Sequence, residues 1–162
     1  MTIIKNENVI TKEITINAPV NLVWLAWTIS ERVSEWFAPE AVVEAYECGT
    51  YELYFIPGNR EEMNTKGCKI TRIEKEEVLC FTWKGPDQFS TIMNNENKLT
   101  NVNVSFQSMN EETTKVNIEH VGFKTDDIWT EAIRWHEMAW SGVLSSLKVA
   151  LEKGEGNLCC QP

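Results

Sequence analysis

The sequence predicts an α+β fold: a curved antiparallel sheet of about seven strands, two short helices after the first strand, and one long C-terminal helix across the sheet. Three observations predict it. Strand-like segments follow one another without intervening helices, which means antiparallel pairing rather than parallel crossover units. The last segment carries Trp129, Ala132, Ile133, Ala139, Trp140, Val143, Leu144, Leu147 and Leu151 in steps of three and four, one wide apolar stripe. A helix of about 27 residues is roughly 40 Å long, enough to lie across strands of about 27 Å.

Ile10, Ile14 and Ile16 recur with period two and make the opening strand. Ala18-Pro19 then opens a helix, because proline in a first turn gives up an N–H that has no partner there. Val20, Val23, Trp24 and Trp27 form its apolar face. Ser30 caps a second short helix through Val33 to Trp36 and Phe37, and Pro39 ends it. Strands are expected at Ala41 to Tyr46, at Tyr51 to Phe55, and from about Thr65 to Ile73. Val78 to Trp83 follows, then Val102 to Phe106, then a last strand with Val116, Ile118 and His120 on one face. Pro57-Gly58-Asn59 and Asn110-Glu111-Glu112-Thr113 read as turns, and the Asn-rich run from Asp87 to Lys98 as a long mobile loop. Thr125, Asp126 or Asp127 starts the long helix and Gly154 stops it.

The chain of 162 residues is 43% hydrophobic and 24% charged, the composition of one globular domain. Residues 9–153 are expected to be ordered and residues 154–162 to form a disordered tail. The net charge of −9 repels phosphate backbones, and no basic patch offsets it, so nucleic acid is excluded as a partner. The sequence has no membrane-length apolar run and no signal peptide, which predicts a cytoplasmic protein. Five cysteines form no C-x-x-C pair; Cys48, Cys68 and Cys80 fall in strand-like stretches, Cys159 and Cys160 in the tail. No metal and no cofactor is expected: a catalytic zinc needs three protein ligands, and Glu119 and Glu137 point away from the two histidines.

Four segments resemble one known family. Ile14-Thr15-Ile16-Asn17-Ala18-Pro19-Val20-Asn21-Leu22-Val23-Trp24 is similar to its opening I-x-A-P-x-x-x-V-W, and Trp36-Phe37-Ala38-Pro39 to the end of its second helix. Gly49-Thr50-Tyr51-Glu52-Leu53, Gly67 and Leu79-Cys80-Phe81-Thr82-Trp83 resemble its G-x-Y-x-F … G … L-x-F-T-W strands. Trp140-Ser141-Gly142-Val143-Leu144-Ser145-Ser146-Leu147 resembles its last helix. In this order the segments identify a single-domain member of the START-like, or Bet v 1-like (SRPBCC), superfamily. Within it they resemble the family sharing the C-terminal domain of the Hsp90 ATPase activator. Cys48 stands where that family often has a first glycine. The resemblance implies the helix-grip fold and three functional expectations: binding of a small hydrophobic ligand, regulation of a chaperone ATPase through a protein partner, or cyclase or hydrolase chemistry on a cavity histidine.

A curved sheet around a helix tends to leave an apolar cavity. Its expected walls are Trp36, Tyr51, Leu53, Phe55, Phe81, Trp83, Phe106, Ile133 and Trp140, with His120 and His136 as polar anchors. The plainer reading of the histidines is two core imidazoles bonded to a neighbouring backbone group or hydroxyl. Trp24 and Trp27 read as core, and Trp135, off the main stripe, as an exposed or interface residue. No nucleophile elbow, phosphate loop or catalytic carboxylate pair is present, so no catalytic residue is assigned.

Overall fold

The computed structural model describes residues 8–153. The expectations for the opening residues, for the tail and for Cys159 and Cys160 lie outside the described residues. Strand β1 (Ile10–Ile16) is followed by helices α1 (Val20–Thr28) and α2 (Ser30–Val33). Then come β2 (Glu40–Val43), β3 (Tyr51–Ile56), β4 (Asn59–Asn64), β5 (Ile70–Glu74) and β6 (Val78–Trp83). A 3-10 turn (Asp87–Phe89) and the short helix α3 (Ser90–Met93) lead to β7 (Thr100–Asn110), β8 (Thr113–Val121) and the long helix α4 (Asp127–Glu152).

The strands form a five-stranded sheet, β1-β8-β7-β6-β5, and a three-stranded sheet, β2-β3-β4, all antiparallel. A narrow seam joins them. Tyr51 N–H donates to Cys68 O (2.9 Å) and Ile70 N–H to Gly49 O (2.8 Å), around the bridge between Thr50 and Lys69. In the larger sheet the register aligns Ile10, His120, Val102, Phe81 and Ile70 in one row across all five strands. All five side chains are buried, so His120 is the single polar member of an apolar row facing α4.

The two short helices are tied down by side chains that complete the end of α1. The last carbonyls of a helix have no intrahelical donor. Here Trp36 Nε1–H donates to Ala26 O (2.8 Å) and Tyr51 O–H to Trp27 O (2.9 Å). Both residues are fixed in the core by this role.

Eight strands are described rather than seven. The additional one, β4, reads Asn-Arg-Glu-Glu-Met-Asn, a polar edge strand without apolar alternation. The expected strand from Thr65 is confined to β5, because the chain turns at Gly67 with φ 91°. The expected loop from Asp87 contains the 3-10 turn and α3, and it is anchored. Gly85 N–H donates to Asn94 Oδ1 (2.8 Å), Asn94 Nδ2 donates to Gly85 O (3.1 Å), and Met93 is fully buried. Burial of Met93 and Phe89 holds a segment whose composition is that of a loop.

At the turn before β3, Cys48 has φ 66°, in the left-handed region that costs an L-residue roughly 1–2 kcal/mol. The neighbouring Gly49 is required for a different reason: a Cβ there would fall 2.1 Å from Glu44 O. Replacing Cys48 by glycine is therefore expected to raise stability by about 0.5–1 kcal/mol, the relieved strain exceeding the added chain entropy. Urea denaturation of the two proteins measures it.

Candidate functional site

Helix α4 carries two stripes. Trp129, Ala132, His136, Trp140, Leu144, Leu147 and Leu151 are buried against the sheet. Beside them, Trp135, Met138, Ala139, Gly142 and Val143 form a flank stripe at spacings of three and four. This flank borders a groove of about 340 Å³. The opposite wall is Phe37 after α2, Phe55 of β3 and Trp83 at the end of β6, and His136 and Trp140 reach it from the core stripe. Gly142 contributes by lacking a side chain: a Cβ there would meet nothing within 4 Å.

Of the residues expected to wall a cavity, Phe55, Trp83, His136 and Trp140 border this groove. The others lie elsewhere. Trp36 and Tyr51 complete α1, and Tyr51 stacks on Phe81 at 4.1 Å between ring centroids. Leu53 and Phe81 are completely buried, and Phe106 packs edge-on against Trp24 at 5.2 Å. His120 lies behind Trp140, and Ile133 is half-buried on α4 outside the groove lining. Phe37, Met138, Ala139, Gly142 and Val143 were not expected as groove walls, and Trp135 was expected to be exposed or at an interface. The signal available for them was the pairing of Trp135 with Gly142 seven residues on, which places both on one helix face.

The two histidines are fully paired. Trp83 Nε1–H donates to His136 Nε2 (3.1 Å), so His136 carries its proton on Nδ1 and donates it to Ala132 O (2.7 Å). Trp140 Nε1–H donates to His120 Nδ1 (3.0 Å), so His120 carries its proton on Nε2 and donates it to Thr100 Oγ1 (2.9 Å). The rings meet edge-on with centroids 5.4 Å apart. Burial holds His120 well below the usual imidazole range, and the neighbouring His136 pushes the same way. Burial lowers His136 to about 4, against the opposing effect of its bond to the Ala132 carbonyl. Both are neutral at pH 7, and every imidazole nitrogen is spent inside the protein.

The groove therefore offers a ligand aromatic and aliphatic carbon, with the indole N–H of Trp135 as a donor at its exposed side. The indole N–H groups of Trp83 and Trp140 are already donated to the histidines, and no charged side chain lines it. Among the described residues no cluster of three or more His, Cys, Asp or Glu could hold a metal ion. No helix among them is long and apolar enough to cross a membrane. Of the described cysteines, Cys68 is buried and its thiol is raised to about 11, mainly by desolvation, which keeps it protonated and unreactive.

A sheet wrapped on one long helix, with two short helices after the first strand, defines the helix-grip class. Within it, the chain belongs to the family described as "Activator of Hsp90 ATPase homolog 1-like protein", whose model matches residues 17–152. No curated protein sequence matches the chain. Among solved structures it is similar to the Aha1 dimer of Colwellia psychrerythraea, at 21% identity and a TM-score of 0.69, covering 91% of this chain and 98% of that one. It is similar to DynU16, of the dynemicin biosynthetic locus, at 16% identity and a TM-score of 0.71 over 92% of this chain. There it spans only 49% of the other protein's length. CalU16 of Micromonospora echinospora matches at 21% identity and a TM-score of 0.63, over 89% of this chain and 74% of that one.

Proposed function

We propose that the protein binds a small uncharged apolar molecule in the groove between α4 and the sheet. One observation carries this reading: the groove is open, aromatic, and without an unspent hydrogen-bonding group on Trp83, Trp140 or His136. A charged or strongly polar ligand would lose its hydration there for at most one hydrogen bond, from the partly exposed Trp135 indole. An apolar one gains roughly 25 cal/mol for each Å² it removes from water. The scaffold supports the reading, since ligand sites sit between sheet and helix in a cleft of this kind. The place of DynU16 in a biosynthetic locus is consistent with a small-molecule role. Acid–base chemistry on a histidine has less to work with, because neither ring keeps a free nitrogen for a substrate proton.

The test is titration with N-phenyl-1-naphthylamine, an uncharged dye that brightens in apolar surroundings. Wild-type protein is expected to give a saturable one-to-one signal. Gly142→Leu adds a side chain to the flank stripe, and its Cβ meets nothing within 4 Å. It is expected to weaken dye binding at least tenfold, while the melting temperature holds or rises, because leucine exceeds glycine in helix propensity by roughly 1 kcal/mol. No saturable signal from wild type, or equal binding by the variant, removes the proposal.

A further inference from the structure

A second chamber of about 170 Å³ lies beyond the groove, against Met63, Asn64, Lys84, Gly85 and Pro86. The two spaces share three wall residues, Phe55, Trp83 and Trp135. Trp83 is held by its hydrogen bond to His136, and Phe55 rests edge-on against Trp83 at 6.5 Å. Trp135 is held differently. The residue is 36% exposed, and its ring makes edge contacts with His136 (4.8 Å) and Phe89 (6.4 Å). The indoles of Trp36, Trp83 and Trp140 all donate hydrogen bonds; that of Trp135 has no hydrogen-bond partner among the described residues.

We propose that Trp135 sets the length of ligand the protein accepts: its indole divides one elongated apolar site into a large and a small chamber. This rests on the groove being the binding site, and it names the ligand class as compact, ring-shaped molecules rather than long chains. An apolar cavity of about 150 Å³ is enough for benzene. The groove, at about 340 Å³, takes a molecule of roughly two to three rings, and a long chain meets the indole at its end. With the indole removed, the site gains half its volume again, along the line joining the chambers.

The experiment is displacement of N-phenyl-1-naphthylamine by straight-chain alcohols of six to twelve carbons, in wild type, Trp135→Phe and Trp135→Ala. Each methylene that finds apolar surface is worth roughly fourfold in affinity. In wild type the gain is expected to level off within the series. In Trp135→Ala it is expected to continue, so that the preference for the longest over the shortest alcohol exceeds the wild-type preference by about tenfold or more. Trp135→Phe, with a smaller ring, falls between. The partial exposure of Trp135 lets the variants fold, and thermal melts check it. An unchanged length preference in Trp135→Ala, or an undiminished gain per methylene in wild type, overturns this inference alone. Absence of dye binding to wild type overturns the groove reading and this one with it.

Discussion

Truncating Trp83 to alanine is expected to destabilise the protein by about 3–5 kcal/mol, the range for removing a buried tryptophan. Trp83 touches more of the site than any other groove residue. Its ring lies near those of Phe37, Phe55, Phe81, His120, His136 and Trp140, with centroids between 5.5 and 6.5 Å away. Loss of the indole removes those contacts and leaves His136 Nε2 buried without a donor. Trp83→Phe retains part of this packing. It deletes the N–H together with the volume of one fused ring, and is expected to cost at least the roughly 1–3 kcal/mol of one buried unpaired polar group, but less than the alanine variant. Urea denaturation of the three proteins gives both numbers. Equal stability of Trp83→Phe and wild type would mean that the Trp83–His136 hydrogen bond contributes nothing.

Acid is expected to weaken the fold well before the carboxylates titrate. Both histidines are neutral when folded, with pKa values below the ordinary 6.5. Between pH 6.5 and about 4 the unfolded chain binds protons that the folded chain refuses, so stability falls as pH falls. Above 6.5 the contribution is complete; by about pH 4 that of His136 is gone, a loss of about 3 kcal/mol from its shift. His120, buried behind Trp140 with the same sign, adds to it. Glu40, Glu44 and Glu152 are held below their usual 4.5, so their losses come at lower pH. Denaturation midpoints compared between pH 7 and pH 5 therefore read the histidines. Replacing either histidine by glutamine is expected to flatten that slope, and a wild-type midpoint constant over the interval would contradict the assignment of two buried neutral rings.

The order of elements was legible because each rests on a local pattern. Alternation marks β1, β6, β7 and β8, Pro19 marks the start of α1, and the heavy stripe from Trp129 to Leu151 marks α4. β4 was not legible, since a polar edge strand has no buried face to impose alternation. The site was half legible. Phe55, Trp83, His136 and Trp140 announce themselves as large inward residues. Gly142 makes room by what it lacks, and periodicity weighted by hydrophobicity passes over an absence. The walls expected at Tyr51, Leu53, Phe81 and Phe106 face inward too. Which inward residues pack and which border space depends on long-range contacts, such as Tyr51 on Phe81 and Phe106 on Trp24, that local periodicity does not carry.

The pairing of β1 with β8 has a consequence for how the chain is made. Ile16 lies opposite Thr114 and Ile10 opposite His120. A ribosome adding about 5–20 residues per second exposes the opening strand for several seconds before its partner emerges. During that interval Ile10, Ile14 and Ile16 have no sheet to join. Thr11, Glu13, Thr15 and Lys12, interleaved with them, are what keep this waiting segment soluble. Closing the sheet then means closing a loop of roughly two-thirds of the chain, the slow kind of step in folding.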